Sequence, residues 1–419
     1  MKLLQPKSIM LPLAIVSVMA PGVSFLVSIL GVEFRWLVLA ALCVYLLMSW
    51  SGLRTAPTAV VVTVAFYLVW CVSTAIWAAV PTLTLMKCVA LIMVTFAALF
   101  GGYHWSVHRD AKSGLDYLWP YVLIALVTGL LGGGAEPADA TDVLDLYAGA
   151  AGGPNALGSM VATSTPFALW HLYRSRGNRK LRLMWLAVLI ALVVTLYLSV
   201  ARSSYLLFIA VLFGMTAGFG VSRRLALVLL GIAVAVGALY VAAPEMIEDF
   251  VQRNVYKQTR EQDEEIFYSR ISPWEESYDG AVAGGMIGLG YGLSVGEYEF
   301  QGGLTAVGYG REKGNTQLAI VEETGLIGLT LYFVLHVVLF AKLVDGFRAA
   351  PRGDLRILLG LIIGTLSGLV LQSLVEAWWV APGSVQYAFF WALAGSGLAI
   401  SESVRRRSVG ERFRQPAYV

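Results

Sequence analysis

The sequence predicts an all-α polytopic membrane protein with about twelve transmembrane helices and one large extracytoplasmic loop containing short helices. Three observations carry this. Hydrophobic residues make up 58% of the 419 and charged residues only 14%, with a mean hydropathy of +0.72, which excludes ordinary soluble packing. Apolar runs of roughly 17–25 residues recur along almost the whole chain, each long enough to cross a hydrocarbon core of about 30 Å as a helix. The recurrence stops from Pro244 to Gly314, a polar segment of roughly 70 residues, far longer than an ordinary connection.

Taken in order, the spans fall near 9–30, 35–50, 58–80, 83–100, 115–131, 155–172, 183–200, 204–220, 225–243, 317–343, 355–374 and 384–401. Lys2 and Lys7 precede the first, but its apolar run is longer than a signal-peptide core and leads straight into further spans, so it reads as a retained helix. Pro21-Gly22 breaks or kinks it, because proline removes a backbone donor and clashes with the preceding turn. The chain thus divides into 1–243 with the first nine spans, 244–316 as a periplasmic loop subdomain, and 317–419 with the last three spans and a basic cytoplasmic tail. Gly, Ser and Thr inside the spans suit close helix packing in lipid.

Orientation follows from charge. With the N-terminus in the cytoplasm, the short cytoplasmic loops collect most of the 30 Lys and Arg residues, including Arg174, Arg176, Arg179, Lys180 and Arg182 in one loop and Arg405, Arg406 and Arg407 in the tail. This is the bias that sets topology in membranes. Both termini are then cytoplasmic, and two segments face outward. One is an acidic loop from Gly132 to Pro154 with Glu136, Asp139, Asp142 and Asp145, which as a charged loop also fits a plain solvated connector. The other is the long polar segment.

Within that segment, 245–268 mixes charge with Phe250, Val251, Val255, Ile266 and Phe267, a pattern that suits a helix lying on the membrane surface. Ser272-Pro273-Trp274-Glu275 has the form of a helix start, with Ser as N-cap, Pro at the first position and Glu closing a capping box. That start would hold Arg270 just before a helix N-terminus, a place suited to anions. From Gly280 to Gly310 the chain is glycine-rich, including Gly288-Leu289-Gly290-Tyr291-Gly292, but no strand–helix–strand pattern surrounds it and a dinucleotide fingerprint is excluded.

A net charge of +3, scattered over short loops, gives no nucleic-acid surface. Cys43, Cys71 and Cys88 fall inside spans, which supports neither disulfides nor a thiolate site. His104, His108, His171 and His336 show no metal-ligand spacing, and a serine–histidine–acid triad has no support.

Chemistry rests on a few charged residues near the outward ends of spans. Arg202 lies between two spans with almost no loop; it is either an interfacial arginine snorkelling to headgroups or a phosphate ligand, since its guanidinium fork matches phosphate oxygens. Arg270 adds a second guanidinium, and Lys87 a third cation about one turn below the surface. Together they suggest a site for a lipid-linked phosphate or diphosphate. Glu322 and Glu323 open the tenth span; a membrane carboxylate is a functional candidate by default, or else an arginine's structural partner. Adjacent residues point about 100° apart on a helix, so at most one of the two faces a given cavity squarely.

Four segments in this order resemble the O-antigen ligase and Wzy-type polysaccharide polymerase superfamily of bacterial envelopes: Gly153-Pro154-Asn155-Ala156-Leu157-Gly158; Ala201-Arg202-Ser203-Ser204; Arg270 with Trp274 ahead of Gly288-Leu289-Gly290; and Gly314-Asn315-Thr316-Gln317-Leu318 leading to Glu323-Thr324-Gly325-Leu326-Ile327-Gly328. The resemblance implies a twelve-helix inner-membrane transferase that takes glycan from an undecaprenyl diphosphate carrier at the periplasmic face, without metal or cofactor. Arg202 and Arg270 match the family's diphosphate-binding arginines. The family's ligases carry a histidine base directly before the asparagine of the fourth segment, where this chain has Gly314. Glycine cannot take a proton, so Glu323, Glu322 or Lys313 would have to substitute, the carboxylates being favoured. Asn155, Trp274, Arg311 and Asn315 complete the candidate set. The expected reaction is inverting transfer of lipid-linked oligosaccharide to an acceptor glycan or glycolipid, as a polymerase of O-antigen or exopolysaccharide. The alternatives are a ligase acting on lipid A core and a lipid-linked glycan transporter or flippase. Membrane lipid and a chain-length regulator are the other expected partners.

Overall fold

The computed structural model describes residues 6–49, 55–131, 147–220, 268–295 and 313–412, with side chains for all of these except 6–8, 268–270 and 407–412. The acidic stretch from Glu136 to Asp145, the span at 225–243 and the surface helix at 245–267 lie outside the described residues. Thirteen α-helices carry the described chain: α1 Pro6–Met19, α2 Ser24–Leu30, α3 Phe34–Met48, α4 Thr58–Ser73, α5 Pro81–Val107, α6 Trp119–Leu130, α7 Pro154–Arg174, α8 Arg179–Ser199, α9 Arg202–Phe219, α10 Tyr268–Gly284, α11 Thr316–Ala349, α12 Asp354–Gln372 and α13 Val385–Arg412. No strand occurs among them; Val23 and Ala151 form an isolated bridge.

Seven helices in this set are long and apolar enough to cross a membrane, or eight if the bent pair α2 and α3 is one span. Twelve were expected. The first expected span is interrupted as Pro21-Gly22 implied, by a short 3-10 turn Ala20–Gly22 between α1 and α2, and a 72° bend follows between α2 and α3. α7 and α13 stand outside the seven because small and polar residues dilute them. They are instead the interior of the bundle: α7 is buried without interruption from Leu157 to Trp170, and α13 is buried from Tyr387 to Ser401.

Close backbone contact holds the bundle, as lipid supplies no hydrophobic drive between helices. α9 and α12 meet along Gly214, Gly218, Gly360, Gly364 and Gly368, where an added Cβ would strike the facing backbone or side chains. An aromatic cluster around Trp379 fills the centre: its indole donates to the Tyr67 hydroxyl at 3.0 Å, and the rings of Tyr332, His336, Tyr387, Phe390 and Trp391 surround it. His336 is therefore a core residue.

The two ends of the bundle differ in chemistry. At one, Lys112 pairs with Asp354 at 2.8 Å, Arg174 donates to the Lys112 carbonyl, Arg176 stacks on Tyr173 and His171 meets Asp116 at 3.3 Å. At the other stand Arg202, Gly314 and the loop between α12 and α13 that carries Glu376. All four sequence segments described above reach this second end.

Candidate functional site

The site is built on a broken helix. α11 opens with Asn315 as N-cap, its side-chain oxygen accepting from Leu318 N at 2.9 Å, the usual role for asparagine there. At Gly325 the backbone leaves the helix (φ 71°, ψ −178°), which strands peptide groups on both sides that must find other partners. The glycine-rich segment after α10 supplies them. Leu289 N and Gly290 N donate to the carbonyls of Glu322 and Glu323 at 2.8 and 3.0 Å, while Leu326 N and Ile327 N donate to Gly285 and Met286 carbonyls at 3.0 and 3.2 Å. Both chains have to approach without side chains: Gly288 and Gly325 carry φ values of +80° and +71°, and a Cβ on either would overlap the opposite backbone. Trp77 and Trp70 clamp the junction from α4 and its extension, donating to Gly288 O at 2.9 Å and Thr324 O at 2.8 Å.

Glu322 and Glu323 occupy the last turn before the break, fully and almost fully buried. Their charge is met at once. Lys313, 6% exposed, pairs with Glu323 Oε1 and lies 3.4 Å from Glu322 Oε2; Gly292 N donates to Glu323 Oε2 at 2.8 Å and Val295 N to Glu322 Oε1 at 2.7 Å. Every carboxylate oxygen thus has a described partner, and Lys313 also donates to the Leu293 carbonyl at 3.1 Å. Both glutamates reach the same lysine, although helix geometry lets at most one of two adjacent residues face a given cavity squarely. The reason is that the loop folds back over the break and brings Lys313 to lie between them. The arrangement ties the loop to α11, which is poor geometry for a general base that needs a free lone pair. Lys87 belongs to the same knot: its ammonium donates to the Gly292 carbonyl at 2.7 Å.

Gly314 sits where α10 crosses the start of α11. A Cβ added there would come 2.9 Å from Pro273 Cβ and 2.9 Å from Trp274 Cδ1, and the Trp274 indole donates to the Gly314 carbonyl at 3.0 Å. A histidine has no room here while Pro273-Trp274 keeps this position. The expected helix start at Ser272-Pro273-Trp274-Glu275 is corrected as well. α10 already runs from Tyr268, Pro273 lies inside it, and Ser272 donates its hydroxyl to Glu276 at 3.2 Å instead of capping. Arg270 is thus in a helical turn, with its side chain outside the described set; Arg311 lies outside the described residues altogether. Alongside, an open groove of about 640 Å³ is lined by Trp274, Glu275, Tyr278, Asp279, Asn315, Leu318 and Leu374.

Arg202 begins α9 two residues after Val200, the one non-glycine residue with positive φ (50°) among those described, a strained conformation costing on the order of 1–3 kcal/mol. Gly158 permits this tight α8–α9 corner, since a Cβ there would lie 3.0 Å from the Ser199 hydroxyl and 3.1 Å from that of Ser204. Ser203 donates to Glu376 Oε1 at 2.6 Å; Gln372 Nε2 contacts Ser159 Oγ at 2.7 Å and Glu376 Oε2 at 3.3 Å. Gln372 Oε1 is buried and has no donor among the described residues. Thr316 and Asn315 fasten α11 to this loop, donating to the carbonyls of Glu376 (2.9 Å) and Leu374 (2.7 Å).

The structure therefore brings Trp274 and Asn315 together at the groove and Glu322, Glu323, Lys313 and Lys87 together beneath the loop. It sets Arg202 in the Glu376 corner, and leaves Asn155 exposed in the first turn of α7. Sequence reasoning passed over Glu376, Gln372, Ser159, Glu275 and Asp279 as site residues. One signal for Glu376 existed, as it is the only carboxylate between Asp354 and Glu402 in an otherwise apolar stretch. No group of three or more metal-ligating side chains occurs among the described residues. Neither a comparison with protein-family models nor one with curated proteins finds a match for this chain.

Proposed function

We propose that this chain is a twelve-span inner-membrane glycosyltransferase that polymerises a bacterial surface polysaccharide, O-antigen or exopolysaccharide, from undecaprenyl-diphosphate-linked glycan at the periplasmic face. One observation carries the reading: the sequence segments that suggested it, remote along the chain, are tied together at one end of the bundle, where Trp274, Asn315 and Leu318 line an open groove and Glu376 accepts from Ser203, next to Arg202, and through its carbonyl from Thr316.

In this reading Arg202, joined by Arg270, holds the diphosphate and stabilises the charge it gains on leaving; a preorganised donor of this kind is worth about 2.7–4 kcal/mol in the barrier. The base is Glu376 in place of Glu323, Glu322 or Lys313. It follows Leu374 of the groove by two residues and accepts from Ser203, next to Arg202, so it lies between acceptor and donor. The acceptor hydroxyl gives its proton to Glu376 as its oxygen forms a bond to the anomeric carbon. The bond from that carbon to phosphate breaks with its electron pair going to the diphosphate, and configuration inverts. Crowding at Gly314 favours polymerase over a ligase that depends on histidine there.

A transporter is the second reading, because a helix broken beside buried charges is what such proteins place at substrate sites. Here, however, the groups freed at Gly325 are bound by the loop. Purified protein in liposomes with lipid-linked oligosaccharide separates the cases: an enzyme lengthens the glycan, a transporter only relocates it. Arg202→Ala should abolish lengthening with the protein retained in the membrane. Undiminished polymer from that variant would refute the assignment.

A further inference from the structure

The groove beside α10 has a chemical character opposite to that of a diphosphate site. Its described lining contains two carboxylates, Glu275 and Asp279, and no lysine or arginine. On α10 these form one row, at i and i+4, and Trp274 and Tyr278 form the adjacent row, each pair about one helical turn, roughly 6 Å, apart along the axis. The Trp274 ring is fixed from behind by its indole bond to Gly314, whereas Tyr278 is 61% exposed. Leu318 and Leu374 supply the facing apolar wall, with the Asn315 amide at its edge.

Sugars present both things this lining can use. The C–H face of a pyranose lies flat on an aromatic ring, which offers an apolar body with a polar tip, and sugar hydroxyls donate to carboxylates, which accept only. A paired aromatic and acidic stripe with a one-turn repeat matches successive rings of an oligosaccharide. The volume, about 640 Å³, falls in the range of small-molecule sites. A uronate or phosphate would face two like charges there, and an amino sugar two opposite ones.

The geometry points to this groove as the acceptor-glycan subsite, selective for neutral or amino-sugar units against acidic ones. The name acceptor rests on the transferase reading above; the carbohydrate binding does not. The full-length protein, purified in a detergent without a sugar headgroup, is titrated at low salt with cellotetraose, a glucosamine tetramer and a galacturonate tetramer, read by calorimetry and tryptophan fluorescence. The expected order is glucosamine tightest, cellotetraose intermediate, and galacturonate at least tenfold weaker than cellotetraose. Tyr278→Ala should weaken all of them, and Glu275→Gln with Asp279→Asn should erase the order while cellotetraose still binds. These side chains are exposed, and an unchanged melting temperature checks that the variants fold. Galacturonate binding as tightly as cellotetraose, binding of none of the three, or binding untouched by Tyr278→Ala overturns the proposal. Lengthening of lipid-linked glycan is measured separately. If the tetramers bind in the predicted order without lengthening, the subsite stands and the transferase reading falls; if glycan is lengthened but no tetramer binds, the transferase reading stands and the subsite falls.

Discussion

At the scale of single residues, the transferase proposed above turns on which carboxylate is placed to take a proton. Glu323 spends one oxygen on Lys313 and the other on Gly292 N. Glu376, half-buried, accepts the Ser203 hydroxyl at 2.6 Å and a longer Gln372 amide contact at 3.3 Å, and it lies two residues beyond Leu374 of the groove. Glu376→Gln keeps shape and hydrogen-bond capacity but removes basicity, so kcat in the liposome assay should fall by about 10²–10⁴-fold with little change in melting temperature. Glu323→Gln should instead lower the melting temperature; retained stability with lost transfer would return the base to Glu323. Lys313 gives a sharper test of the anchoring role. Lys313→Met removes the cation that contacts both buried carboxylates, and breaking such a cluster costs about 3–5 kcal/mol. The double variant Lys313→Met with Glu323→Gln should be more stable than the single one, since it removes one of the carboxylate charges that faced Lys313. Thermal unfolding in detergent would show the order, and an equal or lower midpoint for the double variant would argue against the anchor.

At the scale of elements, the recurring device is a helix broken at glycine or proline and repaired by an extended segment. The break at Pro21-Gly22 is bound by residues 150–152, with Gly152 N donating to Gly22 O and Ser24 N to Ala150 O; the break at Gly325 is bound by residues 285–290. Backbone polar groups are satisfied in both, which membrane burial demands. Gly325→Ala should be among the most damaging changes in α11. It combines a φ of +71° with overlap against Met286, and strain alone costs on the order of 1–3 kcal/mol. Loss of folded protein from detergent extracts would register it, whereas Gly220→Ala, with positive φ but no neighbour within 4 Å, should be milder. These elements also mark what sequence could reveal. Apolar runs gave most of the described helices, and Pro21-Gly22 announced its own break. Ser272-Pro273 misled because a proline looks the same in sequence whether it starts a helix or sits within its early turns. Glu376 was hard to single out because its closest partner, Ser203, lies 173 residues away, and the nearby Gln372 gains its meaning only by also reaching Ser159 across 213 residues. The pairing of Glu322 with Lys313 escaped because Lys313 precedes the helix and no i,i+4 rule applies to it.

At the scale of the whole molecule, the two chemically distinct ends should lie on opposite sides of the membrane. α9 and α11 run from the groove end to the Lys112–Asp354 end, and α12 runs back; these three are long and apolar enough to cross a membrane and span roughly the hydrocarbon thickness. Basic residues gather at the Lys112–Asp354 end, as they do on the cytoplasmic side of membranes. Cysteine labelling tests this directly, since Cys71 and Cys88 are buried and Cys43 is partly so, which keeps background reaction low. If the proposed inner-membrane placement holds, a cysteine at Tyr278, exposed on the groove, should react with a membrane-impermeant maleimide in cells whose outer membrane alone is permeabilised. A cysteine at Lys180, exposed at the start of α8, should react only after the inner membrane is opened. Reaction of both from one side would mean that the chain does not place these ends across the membrane. The reverse pattern would put the groove in the cytoplasm, where a glycan already carried to the periplasmic face could not reach it.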